Sequence, residues 1–77
     1  MNNKNEFQVL LGSNVRKARV SKNWTIERLA LEAGLTYSLV IRIELGQSNP
    51  TAYSLYKIIN TLQSNPNEIF NIVTIQE

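Results

Sequence analysis

TIERLALEAGLTYSLVIRIELG, residues 25–46, decides the fold. Thr25 is a candidate N-cap whose hydroxyl can accept from the amide of Glu27 or Arg28, although Arg28 stands where a full capping box would carry a glutamate. Leu29, Ala30 and Ala33 then share one side of a short helix, and the small Ala30 lets a second helix approach closely. Gly34 breaks that helix, because a left-handed backbone carries no steric cost at glycine. Thr36 caps the next helix, which runs to about Leu45 and is stopped by Gly46. On it Val40 and Ile43 turn inward, with Leu35 packing at the entry, while Tyr37, Ser38, Ile41, Arg42 and Leu45 face outward. The stretch therefore presents a short helix whose outer face is not needed for the core.

Working outward, residues 1–5 are polar and expected to be disordered. From Glu6 the apolar residues Phe7, Leu11, Val15 and Ala18 recur at spacings of four, four and three, one face of a first helix. It is expected to end at Asn23, since asparagine tolerates the left-handed conformation, with Trp24 folding back onto the core. Arg19 lies on the same stripe, so its burial requires a carboxylate partner. Downstream, the loop GQSNP leads through Pro50 to a fourth helix capped by Thr51, with Leu55, Ile58, Ile59 and Leu62 as its apolar face and Tyr56 at the edge. Asn65 and Pro66 read as an N-cap and first helical residue of a short fifth helix carrying Ile69 and Phe70. The tail 72–77 changes character: Ile72, Val73, Thr74 and Ile75 are strand formers without helical spacing. It either covers the core as an extended segment or forms an edge strand that pairs with its twin in a dimer. The expected fold is all-α, a compact five-helix unit over residues 6–71.

The totals narrow the function. At 77 residues the chain supports one domain, because so short a chain buries only about 60% of its unfolded surface. With 43% hydrophobic and 18% charged residues it has a globular composition. It lacks an apolar run able to span a bilayer and an apolar leader, so a cytoplasmic protein with no membrane partner is expected. Cysteine, histidine and aspartate are all absent, which removes the usual nucleophiles, general bases and metal ligands. No enzyme, metal or cofactor is expected. Residues 1–42 hold seven basic and three acidic side chains, whereas residues 43–77 hold one basic and three acidic. Such asymmetry favours a positive face toward a polyanion.

LGSNVRKAR, LALEAGLT, VIRIELGQSNP and LYKIINTLQSNPNEIF together make residues 10–70 resemble the phage-repressor and Cro type of helix-turn-helix DNA-binding domain, the xenobiotic-response-element family of bacterial regulators. The resemblance implies a repressor-type fold with the helix-turn-helix at the second and third helices. It pairs Arg19 with Glu44 at the end of the recognition helix, a structural lock. It places Tyr37, Ser38, Ile41 and Arg42 at base edges, where Arg42 can bind guanine bidentately and Ser38 can meet several bases. Thr25, the amides at the N-termini of the second and third helices, and Gln47, Ser48 and Asn49 are the implied phosphate contacts.

Double-stranded DNA is thus the expected partner, bound as a homodimer on an inverted repeat. The fifth helix and tail, through Ile69, Phe70, Ile72, Val73 and Ile75, are the expected dimer interface, being apolar and remote from the basic face. At this size the resemblance extends to phage repressors and to controllers of restriction-modification genes. Repression by occluding RNA polymerase and activation by touching it both remain open. Ile26, Ile41, Leu45 and Ser48 depart from the glutamine, small polar, basic and arginine residues that many relatives place there. Either phosphate contacts are fewer and binding less salt-dependent, or Ile26, Ile41 and Leu45 form an apolar patch for a protein, as in an antitoxin or anti-regulator.

Overall fold

The computed structural model describes residues 4–72, among which there are five α-helices and no strand. They are α1 (Lys4–Ser21), α2 (Ile26–Ala33), α3 (Tyr37–Glu44), α4 (Ala52–Leu62) and α5 (Pro66–Ile69). Each of the three threonine caps behaves as its sequence position requires. Thr25, Thr36 and Thr51 hold extended backbones, and their hydroxyls accept from the amides of Arg28, Leu39 and Ser54 at 3.0, 3.1 and 3.0 Å. Asn65 does the same for the Asn67 amide at 2.9 Å, with Pro66 opening α5. These bonds satisfy amides that have no partner within their own helix.

Helix ends follow the residues able to reverse the chain. Gly34, at φ 69°, terminates α2, and the Leu35 amide returns to the Ala30 carbonyl at 2.9 Å. Asn23 adopts φ 60° as expected, but α1 itself stops at Ser21, with Lys22 and Asn23 forming the turn. At the other end α1 begins earlier than expected. Lys4 and Asn5, read as disordered, belong to its first turn. Glu6 complements the positive end of the helix dipole there, and the packing of Phe7 and Gln8 fixes the turn that carries them. Residues 1–3 lie outside the described residues.

One core joins all five helices. Val15 of α1, Leu29 of α2, Val40 of α3, Ile58 and Leu62 of α4 and Ile69 of α5 are fully buried, and each such side chain contributes about 1.5–3 kcal/mol of transfer free energy. Helix α1 packs on α3, α4 and α5, while α2 joins α3 to α4. Two glycines let α1 meet the end of α3 at backbone distance. A Cβ on Gly12 would lie 2.1 Å from the Ile43 carbonyl oxygen and 2.9 Å from that of Glu44, and one on Gly46 would lie 2.8 Å from the Cα of Val9. The close approach sets where α3 sits on its scaffold.

The C-terminal segment corrects one expected assignment. Ile69, expected at the dimer interface, is instead fully buried in the chain's own core, because a one-turn helix must use the apolar residue at its last position to close the end of the bundle. Asn14 of α1 secures this end: its Nδ2 donates to the carbonyls of Ile69 at 3.0 Å and Asn71 at 3.3 Å. Ile72 packs partly buried against the same core, and Phe70 stays half exposed. Val73 and Ile75, and with them the expected edge strand, lie outside the described residues.

Candidate nucleic-acid interface

The position of α3 depends on Arg19. Its Nε donates to Glu44 Oε2 at 2.7 Å and its Nη2 to Glu44 Oε1 at 3.0 Å, a bidentate pair between α1 and the last turn of α3. Nη1 donates to the Trp24 carbonyl at 2.7 Å, so one guanidinium also holds the loop that enters α2. The side chains are only 11% and 4% exposed, which shields the pair from solvent and salt. Planar donors in a fixed fork suit this geometry; a lysine there would supply one point charge without the second, parallel bond. No buried side-chain nitrogen or oxygen among the described residues lacks a partner.

Clamped at that end, α3 offers its opposite face. Tyr37 at the first helical position is 48% exposed, and Ser38 and Arg42, one turn apart, are also exposed. Among the described residues no carboxylate pairs with Arg42, so its guanidinium is available to a ligand. The following loop is fastened to the same helix, because the Gln47 amide donates to the Arg42 carbonyl at 2.8 Å. Gln47 and Asn49 are exposed and Ser48 half-buried, while Thr25 exposes its side chain at the start of α2. The structure thus places the expected phosphate-contact residues at the entry of α2 and at the exit of α3, on segments tied to the Arg19 clamp or to α3 itself.

Ile41 departs from a purely outward position. It is half-buried and, with Ile26 and Leu45, walls a depression of 210 Å³ to which Arg16, Arg19 and Glu44 also contribute. Exposed Arg16 is therefore brought beside the outer face of α3, a placement that the α1 stripe alone did not reveal. Arg28, read from the sequence only for its place in the α2 cap, also uses its side chain. Its guanidinium lies 4.3 Å from the centre of the Trp24 ring, four residues earlier in the chain, which holds a positive charge near the α2 N-terminus. The available signal was the Trp24–Arg28 spacing across the Thr25 cap. Gly12 was missed too, since a glycine inside a helical stripe reads only as a weak helix former.

The profile of the helix-turn-helix family matches residues 15–69, from the middle of α1 to the end of α5. The chain belongs to that family. Control protein C.BamHI of Bacillus amyloliquefaciens is 33% identical over 72 residues, covering 92% of this chain and 89% of that protein. The HTH-type transcriptional regulator SlrR of Bacillus subtilis (strain 168) is 33% identical over 67 residues, or 86% of this chain and 44% of the longer protein. Among solved structures, the restriction-modification controller protein C.AhdI from Aeromonas hydrophila matches with a TM-score of 0.79 and 33% identity, covering 82% of this chain and 96% of its own. The hypothetical transcription factor NHTF from Neisseria has the same fold, with a TM-score of 0.79 at 24% identity over 91% of this chain and 80% of its own. This helix-turn-helix protein is accordingly a DNA-binding regulator, with α2 and α3 as its helix-turn-helix.

Proposed function

We propose that the protein is a sequence-specific transcriptional regulator that binds an inverted-repeat operator as a homodimer, each α3 entering one of two major grooves about 34 Å apart. The observation that carries this reading is the buried Arg19–Glu44 clamp, which fixes α3 by its C-terminal turn while Tyr37, Ser38 and Arg42 stand free. Arg42 recognises guanine, Ser38 and Tyr37 contact neighbouring base edges, and Thr25, Gln47, Ser48 and Asn49 hold phosphates. The likeness to C.BamHI and C.AhdI supports a controller of restriction-modification genes. Repression follows from occluding RNA polymerase at an overlapping site, and activation from touching polymerase at an adjacent one. The cytoplasm is the proposed place of action; no helix among the described residues is long and apolar enough to cross a membrane.

For the dimer contact the half-exposed Phe70 and the neighbouring Tyr56 are the anchors. They line a groove of 770 Å³ between α4 and α5, elements that do not carry the reading face, and Ile72, Val73 and Ile75 extend from it in sequence. Aromatic residues at such a surface suit a self-complementary interface. Selection of bound duplexes from a random pool tests both parts at once. A two-fold symmetric consensus, with a dimer seen by sedimentation of the free or bound protein, is the expected result. Equal affinity for selected and scrambled duplexes would overturn the sequence-specific reading.

The gathering of Ile26, Ile41 and Leu45 in one depression favours a second reading, an antitoxin-like or anti-regulator module that grips a protein. Salt dependence separates the two, because a DNA binder shows log K falling linearly with log salt at a slope set by the phosphates neutralised.

A further inference from the structure

The outer face of α3 carries two rows of side chains, each advancing one turn per step. Ser38 and Arg42 form a polar row. Tyr37, Ile41 and Leu45 form the second, and apart from the Tyr37 hydroxyl it has no side-chain hydrogen-bonding group. Leu45 is 60% exposed, and Ile41, one turn from both Tyr37 and Leu45, is half-buried beside the depression that it lines with Leu45, Ile26 of α2, Arg16, Arg19 and Glu44. Half-burial limits where the Ile41 side chain can go, so a group arriving along α3 meets a restrained apolar side chain.

The chemistry of the major groove leaves this row few choices. Guanine presents two acceptors, cytosine a donor, and adenine one of each, and none of these gains a partner from isoleucine or leucine. Opposed to an apolar side chain, such groups lose water without replacement, a cost comparable to a broken hydrogen bond. Thymine alone presents a 5-methyl group, which gains from leaving water against an apolar surface. We infer that Ile41, extended by Leu45, reads thymine methyl groups in the operator, so that base recognition is divided between a hydrogen-bonding row and a methyl-reading row on one helix. The inference rests on α3 being the DNA-reading helix of a sequence-specific regulator. The continuity of the two rows on that helix favours thymine over a protein partner as the occupant beside Ile41.

The test uses the full chain and an operator obtained by selection from a random pool. Each thymine in turn is replaced by deoxyuridine, which removes the methyl and keeps the pairing. At one or two thymines per half-site the replacement should weaken binding about four-fold, the equivalent of roughly 0.8 kcal/mol for one methyl-sized group. In Ile41→Ala, confirmed folded by its melting curve, uracil and thymine at those positions should bind alike. Leu45→Ala provides a second variant at a more exposed site, and it should reduce the uracil penalty at the adjoining position. The inference is overturned if every uracil duplex binds as well as its parent, or if the penalties persist unchanged in both variants. A pool yielding no preferred sequence overturns the underlying sequence-specific reading and this inference with it, whereas a tight parent duplex indifferent to methyl groups overturns the inference alone.

Discussion

Substitution of Arg19 and Glu44 separately should destabilise the protein unequally, and the order follows from their surroundings. In Arg19→Ala the Glu44 carboxylate, 4% exposed, loses both of its donors, and the Trp24 carbonyl loses a third bond. In Glu44→Ala the guanidinium keeps the Trp24 carbonyl and, at 11% exposure, lies nearer to water. Breaking a buried pair by removing one partner costs about 3–5 kcal/mol, so we place Arg19→Ala at the upper end and Glu44→Ala at the lower. For 77 residues a total stability of about 4–12 kcal/mol is expected, so either loss is a large fraction of the whole. Urea denaturation followed by circular dichroism at 222 nm measures it. The double variant Arg19→Met with Glu44→Leu should be more stable than Arg19→Ala, because no charge is left buried; the unpartnered Trp24 carbonyl keeps a deficit of about 1–3 kcal/mol. Single variants within about 1 kcal/mol of the parent would refute the reasoning, since that is the range of an ordinary exposed ion pair. A greater loss in Glu44→Ala than in Arg19→Ala would refute the proposed ordering.

Three further outcomes can be checked with the same protein. Gly12→Ala places a Cβ 2.1 Å from the Ile43 carbonyl oxygen, so α1 and α3 must separate; overpacking should cost about 1–3 kcal/mol or more in a melt and should also lower operator affinity. Arg42→Ala should leave the melting curve close to the parent's while losing about 1–3 kcal/mol at its cognate base pair, with relaxed preference there in a repeat of the duplex selection. Gln63 ends α4 at φ 55°, in a conformation unfavourable to residues with a Cβ, and its exposed side chain makes substitution mild. Gln63→Gly should therefore raise stability by about 0.5–1 kcal/mol in urea denaturation.

Most of the helical frame was readable from local chemistry. Gly34, the threonine caps and the Asn65–Pro66 pair act through their own backbone and the next few amides, so their roles do not depend on distant residues. The inward positions of Val40, Ile43, Leu55 and Ile58 likewise followed from helical spacing. Long-range geometry was less legible. Gly12 matters because of carbonyls some thirty positions away, and Asn14 because of the far end of the bundle. Ile69 was assigned to the dimer interface as an apolar residue remote from the basic face, and a four-residue helix is too short for periodicity to show that it turns inward. Gln63 gives no warning of a left-handed backbone, unlike Asn23 with its short polar side chain. In the interface, the polarity of Tyr37, Ser38 and Arg42 was visible at once. The half-burial of Ile41, the arrival of Arg16 beside α3 and the seating of Arg28 on the Trp24 ring required the packed structure.

The contact between Arg28 and Trp24 also has an optical consequence. Trp24 is the chain's single tryptophan, so all indole emission originates beside the start of α2. A phosphate that draws Arg28 off the ring changes the field and the quenching at the fluorophore directly, without any label. Emission from the unmodified protein can therefore follow engagement of the α2 end separately from the base contacts proposed for α3, and a stopped-flow trace would order the two events in time.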